Sequence, residues 1–359
     1  MTGPSVVTGT DETERPSGPG SLREPGQLAG LLGRMGLNRY TGLILWAAFI
    51  VIFSIWTPAT FLTITTLKSI LAVQAITGIL ALAVIFPLAA GAFDLSVAQN
   101  MGFSALLAGF LLVHPRGLPV AVTILVVLIV GALVGLVNGL LVTVAGLDSF
   151  IATLATSSLL LAASEEISNG EYIGPFPSSF TAITAPTPLG IPIIAVYLAV
   201  LAVVAWYVLE HTPVGRRVQA TGANKDSARL AGVSTDRYVV WCMVTCGAGA
   251  ALGGVLLASS IDSVNQTLGP PYLLPAYAAA FLGTTQIKPG RFNVWGTVVA
   301  IFLLATGVQG LELVGAKLYV NDYFNGIALI LAVGAGIFVQ RSRGRREKRA
   351  QLARAKQQA

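Results

Sequence analysis

Long apolar stretches recur along most of this chain, and this recurrence limits its possible folds more than any other feature. Ten such stretches lie between residues 41 and 340, separated by polar segments. An α-helix needs about 20 apolar residues to cross the hydrocarbon core of a bilayer. The pattern therefore predicts an all-α fold, a polytopic transmembrane helical bundle of about ten spans in contact with membrane lipid.

The ends of the apolar runs give the boundaries of the predicted spans. The spans are residues 41–57, 67–90, 95–113, 118–142, 150–165, 191–209, 238–259, 272–286, 293–311 and 323–340. The fifth and eighth are short and could be broken or re-entrant, which is tolerated only where backbone is buried in protein or lines a cavity. Two connections are long: an outer segment, 166–190, and an inner loop, 210–237.

Composition and charge exclude two other classes of protein. Hydrophobic residues make up 54% of the chain and charged residues only 11%, whereas a soluble domain has about 25% charged residues. The net charge of +6 does not indicate nucleic-acid binding, because the basic residues lie in the gaps between apolar runs. We expect no nucleic-acid partner.

The distribution of Lys and Arg predicts the orientation of the chain. With the N-terminus in the cytoplasm, 19 of the 22 basic residues fall on the cytoplasmic side and only Lys68, Arg116 and Lys317 fall outside. Cytoplasmic loops of membrane proteins carry such an excess of positive charge. We therefore expect both termini and residues 210–237 to face the cytoplasm, and residues 166–190 to face outward.

The same pattern divides the chain into three parts. Residues 1–40 are polar and rich in Gly, Pro, Thr and Glu, a composition typical of a disordered tail. Residues 41–340 form the transmembrane domain, and residues 341–359 form a basic cytoplasmic tail.

The chain has no residue cluster that indicates an enzyme or a metal site. It contains no Gly-x-x-x-x-Gly-Lys-Ser/Thr phosphate loop, no His-Glu-x-x-His and no Gly-x-Ser-x-Gly motif. The two histidines, His114 and His211, fall on opposite sides of the predicted membrane. Cys242 and Cys246 share one helix face, where plain apolar packing is the simpler interpretation. We expect no catalytic residue, no metal and no cofactor.

Asp94 lies directly between two predicted spans. It follows Gly91 after two residues, with almost no polar linker around it. A carboxylate at membrane depth costs about 2.5–3.5 kcal/mol on insertion scales, so such a residue usually has a function. Either Asp94 caps the next helix by accepting backbone N–H bonds, or it contacts a solute or forms part of a gate.

Several small residues and neutral polar residues lie inside the predicted spans. Gly131, Gly135 and Gly139 recur every four residues and predict close helix packing. Amides and hydroxyls in the spans can hydrogen-bond a sugar-like solute, or they can hold helices together. These polar residues are Gln74, Asn138, Thr153, Ser157, Ser158 and Gln309.

The inner loop 210–237 contains a short predicted helix. Asn224 can cap a helix that runs to about Ala231, and Gly232 can end it. A partner that grips this helix could transmit force through it. The alternative is a positively charged loop that only sets the topology.

Five segments of the sequence resemble the permease subunits of bacterial ribose-type monosaccharide ABC importers. The segments are residues 91–97 (Gly-Ala-Phe-Asp-Leu-Ser-Val), 138–156 (beginning Asn-Gly-Leu and ending Phe-Ile-Ala-Thr-Leu-Ala-Thr), 212–216 (Thr-Pro-Val-Gly-Arg), 222–233 (beginning Gly-Ala-Asn and ending Ala-Arg-Leu-Ala-Gly-Val) and 282–297 (beginning Leu-Gly-Thr-Thr and containing Trp-Gly-Thr). The resemblance covers most of residues 65–340. The chain departs from the family's Gly-Gly-Ile-Asp motif at Ala92 and Phe93.

The resemblance implies a function and a set of partners. The chain would form the translocation path for a small polar solute, a monosaccharide such as ribose, in a bacterial inner membrane. It would pair with a second permease copy, an ABC ATPase subunit and a periplasmic or lipid-anchored solute-binding protein. Two alternatives remain: an ion-coupled secondary transporter of small polar metabolites, and an intramembrane enzyme.

The resemblance also implies two groups of site residues. Residues 222–233 would contain the helix that couples the permease to the ATPase, with Ala228 and Leu230 filling an apolar pocket and Lys225 and Arg229 meeting a negatively charged partner surface. The coupling residues are Gly222, Asn224, Lys225, Ala228, Arg229, Leu230 and Gly232. The candidate residues of the path or gate are Gln74, Asp94, Ser96, Asn138, Phe150, Thr153 and Gln309.

Overall fold

A computed structural model describes residues 41–113, 117–317 and 319–334 of the chain. The predicted tails, residues 1–40 and 341–359, lie outside the described residues. Within the described ranges the fold is all-helical, and the one β-bridge there joins Ile173 to Val264.

The described helices follow the predicted runs closely. They are α1 (Thr41–Trp56), α2 (Ile64–Ala89), α3 (Val97–Val113), α4 (Val120–Thr143), α5 (Ser149–Ser168), α6 (Ser178–Thr181), α7 (Ile193–Trp206, continued by a π-helical turn, Tyr207–His211), α8 (Pro213–Ala223), α9 (Lys225–Leu230), α10 (Thr235–Ile261), α11 (Leu273–Gly283), α12 (Val294–Leu313) and α13 (319–334). Every predicted span contains one of these helices.

Helix length separates the predicted spans into classes. Among the described residues, six helices are long and apolar enough to cross a membrane: α2, α4, α5, α7 with its π turn, α10 and α12. Helices α1 and α3 are apolar but shorter. Length and composition therefore support six spans, and the figure of about ten stays a prediction.

The two spans predicted to be short differ from each other. The fifth is a continuous helix of 20 residues, so the prediction of a short fifth span is wrong. The polar residues at its C-terminal end hid its true length. The eighth, α11, has only 11 residues.

The short eighth span is preceded by irregular backbone that ends in a 3-10 turn, Pro270–Tyr272. Residues 262–272 connect α10 to α11, and Gly269 is buried against α3. A Cβ at Gly269 would lie 2.2 Å from the carbonyl oxygen of Ala98. Pro270 and Pro271 follow, and neither has a backbone N–H that would need a partner. An irregular segment and a 3-10 turn, Pro270–Tyr272, thus lead into the short helix of the eighth span.

Helices α2 and α10 form the centre of the bundle. Of the most apolar 18-residue stretch of each helix, 72% is buried in α2 and 61% in α10. Such burial is expected for helices that are apolar on all sides. Helix α4 contacts α10 along its glycines: a Cβ at Gly135 would lie 2.2 Å from the carbonyl oxygen of Met243, and one at Gly131 would lie 2.4 Å from Cβ of Ala251. The packing interpretation of these glycines is confirmed.

Hydrogen bonds and ion pairs assign several connections to the same end of the bundle. At one end, Lys288 forms an ion pair with Glu210, so the loop between α11 and α12 adjoins the inner loop. At the other end, the amide of Phe176 donates to the carboxylate of Asp262 at 2.9 Å. Which end of the bundle faces the cytoplasm stays a prediction.

Candidate functional site

Asp94 lies in a short non-helical break between α2 and α3. Gly91 begins the break with a φ of +81°, a conformation that glycine adopts without strain. The Asp94 side chain is 1% exposed. Its Oδ1 accepts hydrogen bonds from the backbone N of Ser96 at 3.1 Å and from Ser96 Oγ at 2.6 Å. The thiol of Cys246 on α10 also contacts the carboxyl group.

Asp94 does not cap α3 in the usual way, because its carboxylate does not accept from a backbone N–H in the first turn of the helix. The backbone N–H that Asp94 accepts belongs to Ser96, the residue just before α3. The first bond of the helix runs from the N of Asn100 to the O of Ser96 at 2.7 Å. Asp94 therefore fixes the turn that leads into α3, and among the described residues it has no ion-pair partner.

Side chains from two other helices bind the backbone of the break. The Tyr277 hydroxyl on α11 accepts from the N of Asp94 at 3.1 Å and donates to its O at 2.9 Å. On α5, Ser149 Oγ accepts from the N of Phe93 at 3.1 Å, and Thr153 Oγ1 accepts from the N of Leu95 at 3.0 Å. The break is thus held by α5 and α11.

Asn138 on α4 extends the same network. Its Nδ2 donates to Ser96 Oγ at 2.8 Å, and its Oδ1 accepts from Thr156 Oγ1 at 2.7 Å. Four of the residues predicted for the path or gate, Asp94, Ser96, Asn138 and Thr153, therefore meet at one place. Their polar atoms mostly bond to one another, which holds the helices together. Sequence reasoning did not select Tyr277, because nothing distinguishes one tyrosine inside an apolar run.

The other predicted path residues do not join this network. Phe150, on the outer surface of α5, is 51% exposed. Gln309 Oε1 accepts from Ser69 Oγ at 3.4 Å. Gln74 lines a cavity of about 390 Å³ between α2, α11, α12 and α13. The predicted set thus splits into a polar network at the break and a separate cavity.

The inner loop folds into two helices where one was predicted. Helix α9 covers residues 225–230, inside the predicted range of 224–231. The Asn224 side chain accepts from the N of Ser227 at 2.9 Å, and Gly232 ends the segment with a φ of +81°. Helix α8, which precedes α9, was not predicted. Its N-terminal cap is Thr212, whose hydroxyl accepts from the N of Gly215 at 3.2 Å.

The prediction of which α9 side chains face a partner is partly wrong. Ala228 is only 6% exposed, so it packs against the chain itself. Lys225 and Arg229 share a face, as predicted, but both bind Asp236 on α10, at 3.1 Å and 2.8 Å. Both side chains therefore form their ion pairs within the chain rather than with a partner. Leu230 is 91% exposed and remains available to a partner.

A close glycine contact joins the inner loop to the break that contains Asp94. A Cβ at Gly222 in α8 would lie 2.2 Å from the O of Ala89 and 3.0 Å from the N of Gly91. Only glycine permits this distance between the two backbones. A movement of α8 would therefore act directly on the α2–α3 break.

The described residues contain no group of three His, Cys, Asp or Glu side chains that could bind a metal ion. The arrangement that they form offers buried hydrogen bonds, a cavity and an exposed short helix. Binding and movement are what these features can support.

Comparisons with known proteins agree with this assessment. Residues 66–333 match the family described as "branched-chain amino acid transport system / permease component". The chain is 31% identical over 262 residues to the protein named autoinducer 2 import system permease protein LsrD in Yersinia enterocolitica, Yersinia pestis and Yersinia pseudotuberculosis. The match covers 71% of this chain and 78% of each relative. No solved structure matches the chain.

Proposed function

Because the chain belongs to the family of permease components of the branched-chain amino acid transport type, it is a non-catalytic, multi-pass inner-membrane subunit of an ABC importer, and we propose that it forms the path of a sugar-type solute. Membership in this family implies an ABC ATPase subunit and a solute-binding protein as partners. A second copy of this permease would complete the path. All ten predicted spans would cross the membrane, with both termini and residues 210–237 in the cytoplasm.

The proposed solute is a small neutral sugar or a compound related to one. The similar Yersinia proteins are named for the import of autoinducer 2, and the motifs at residues 91–97 and 222–233 resemble those of ribose-type permeases. Autoinducer 2 is therefore the first solute to test, and ribose the second. Branched-chain amino acids, which the family description names, are the contrasting class because each carries an ammonium and a carboxylate group.

The observation that best supports the importer function is the arrangement of α8 and α9. Helix α9 is capped by Asn224, is bound to Asp236 through Lys225 and Arg229, and presents Leu230 outward. This rigid attachment suits a helix that receives force from an ATPase. Gly222 would pass the force to the α2–α3 break through its backbone contact.

This arrangement revises the roles proposed for the coupling residues. Leu230 would contact the ATPase, and Asn224 and Gly232 would set the start and end of the helix. Lys225 and Arg229 would hold α9 on α10, and the Ala228 side chain would pack on the buried face of α9. These roles explain why the segment mixes apolar and basic residues without requiring a negatively charged partner surface.

The secondary-transporter alternative has less support. Such a transporter uses ionisable groups near the middle of the membrane. Asp94 is the candidate, but it lies in the break after α2, and its carboxylate accepts hydrogen bonds from the backbone N and the hydroxyl of Ser96. The intramembrane-enzyme alternative also has less support, because the similar Yersinia proteins are named permease proteins.

Purification and transport assays test this proposal. The chain should co-purify with an ABC ATPase subunit. In vesicles, the loaded solute-binding protein should stimulate ATP hydrolysis and ATP-dependent uptake of autoinducer 2 or ribose. The chain alone should hydrolyse no ATP. Uptake that follows an ion gradient and proceeds without an ATPase subunit would contradict the proposal.

A further inference from the structure

The cavity that Gln74 lines is an open pocket between α2, α11, α12 and α13, away from the break that contains Asp94. Gln74 is the eleventh residue of α2, and a rise of 1.5 Å per residue places it about 15 Å from the start of that helix. The facing walls come from α11, α12 and α13. A volume of about 390 Å³ falls within the usual range of small-molecule sites, about 300–1,000 Å³.

One wall of the cavity is the broken eighth span. Thr267, Pro271 and Tyr272 precede or begin the turn into α11, and Pro275 lies in its first turn. Non-helical backbone is tolerated at membrane depth where it is buried in protein or lines a water-filled cavity. In transporters, discontinuous helices of this kind form substrate sites. The break in the eighth span thus gives the cavity a wall of the kind that a solute site requires.

Polar side chains face the cavity without partners of their own. In the described part of the chain, the side chains of Gln74, Thr77, Tyr272 and Asn325 form no hydrogen bond. Thr77 is also buried, at 6% exposed. Buried polar groups in proteins are nearly always hydrogen-bonded, to protein or to water. These groups are therefore free to bond to water or to a solute.

The rest of the lining is uncharged. Among the described lining residues none is an Asp, Glu, Lys, Arg or His. Aliphatic side chains, including Ile301 and Leu304, accompany the polar groups, and the ring of Tyr272 adds a flat apolar surface. Hydroxyl groups of a sugar could bond to the amides and hydroxyls while its C–H surfaces contact the apolar wall. A charged solute would find no counter-ion there.

We propose that this cavity, lined by Gln74, Thr77, Tyr272 and Asn325, is the site in the permease that receives a neutral polyhydroxy solute. The inference rests on the proposed importer function and adds to it the location and the chemical class of the solute. It excludes amino acids and other charged metabolites as the preferred cargo.

The first test needs no knowledge of the solute. In a chain with Cys242 and Cys246 replaced by alanine, Thr77→Cys should react with a membrane-impermeant thiol reagent in the vesicle-embedded complex, either without nucleotide or with ATP trapped. The matched control is Thr123→Cys, because Thr123 is also buried, on α4, and does not line this cavity. The control should stay unreactive. Protection of the thiol of Thr77→Cys in every nucleotide state would overturn the proposal.

The second test measures selectivity. Gln74→Glu and Tyr272→Phe should lower the ATP-dependent uptake of autoinducer 2 or ribose about tenfold, the effect of losing one good hydrogen bond. Both variants should still co-purify with the ATPase subunit, which would show that the loss of uptake does not come from a lost partner. Tyr323→Phe, the same change at an exposed tyrosine, should leave uptake unchanged.

The outcomes separate this proposal from the importer function. If the unaltered complex shows neither ATPase association nor stimulated hydrolysis, the importer function fails. If the complex works but Gln74→Glu and Tyr272→Phe transport normally, only the cavity assignment fails. Efficient uptake of leucine by the unaltered complex would overturn the assignment to a neutral solute.

Discussion

At the scale of single residues, Asp94 shows how a buried acid can have a structural use. Its carboxyl bonds to the backbone and side chain of Ser96, and Tyr277 binds its backbone from α11. These bonds set the direction in which α3 leaves the break. The acceptor atom, more than the negative charge, is what the geometry uses.

Substitution of Asp94 separates these two properties. Asp94→Asn keeps an oxygen acceptor and should retain folding and most uptake. Asp94→Leu leaves the N–H and hydroxyl of Ser96 without their acceptor, a loss of about 1–3 kcal/mol, and should lower the melting temperature of the detergent-solubilised chain. If Asp94→Asn folds normally yet abolishes uptake, the charge itself is required and the structural role is wrong.

Gly222 is the second residue whose identity the packing dictates. Its Cα hydrogen occupies the space where a Cβ would meet the O of Ala89 at 2.2 Å, and a backbone oxygen cannot move aside as a side chain can. Gly222→Ala should therefore push α8 off the break. We expect the amount of solute imported per ATP hydrolysed to fall severalfold while the ATPase subunit stays bound.

A control for Gly222→Ala is available in α13. Gly326→Ala adds the same methyl group at a position with no atom within 4 Å, and it should not change the ratio of transport to hydrolysis. An unchanged ratio for Gly222→Ala as well would mean that the glycine contact carries no force.

At the scale of elements, α9 is a six-residue helix with two different faces. Ala228 is on the buried face of α9, which packs against the rest of the chain, while Leu230 is on the exposed face. Lys225 and Arg229 fix it to Asp236 from the side. Such a short helix has little stability of its own, so its position depends on these contacts and on the Asn224 cap.

The two faces of α9 predict opposite consequences for the same kind of change. Leu230→Glu should leave the melting temperature of the chain unchanged, because Leu230 has no packing to lose, but should reduce co-purification of the ATPase subunit. Ala228→Glu forces a longer, charged side chain into a packed position and should destabilise the fold by about 1–3 kcal/mol.

Leu189→Glu is the matched control for Leu230→Glu. Leu189 is fully exposed and lies in the predicted outer segment, so the ATPase should still co-purify with this variant. Normal ATPase association by Leu230→Glu would show that the ATPase contacts another part of the chain.

At the scale of the whole molecule, the two ends of the bundle differ in their connections. One end carries the basic inner loop and the loop between α11 and α12. The ion pair between Glu210 and Lys288 joins these two loops. The other carries residues 169–192 beside residues 262–264, joined by the bridge between Ile173 and Val264. The helical layer between them contains the cavity, and α11 links it to the Asp94 break through Tyr277.

Labelling from outside the cell tests which end is cytoplasmic. In a background with Cys242 and Cys246 replaced by alanine, a membrane-impermeant reagent should modify Ser178→Cys but not Ser227→Cys, since both serines are exposed and lie on opposite predicted sides. Permeabilised cells should show both positions labelled. Labelling of Ser227→Cys in intact cells would show that residues 210–237 face outward and that the predicted orientation is wrong.

The sequence alone determined the class of fold and the approximate position of α9 and of the helix in each predicted span. It also determined the Asn224 cap and the Gly232 terminus of α9. These features depend on hydrophobicity, charge and turn preference over a few neighbouring residues, which the sequence displays directly. The fifth helix was underestimated because Ser and Glu at its end weakened that local signal.

Only the tertiary structure decided which side chains meet. Tyr277 lies 183 positions from Asp94, and no local pattern marks it as the partner of the break. The pattern of α9 could not show whether Ala228 faces the chain or a partner, because a small apolar residue fits either. The cavity, too, is made by four helices whose separate sequences look alike. Contacts between residues distant in sequence depend on how helices pack, and packing is a property of the assembled bundle rather than of any one segment.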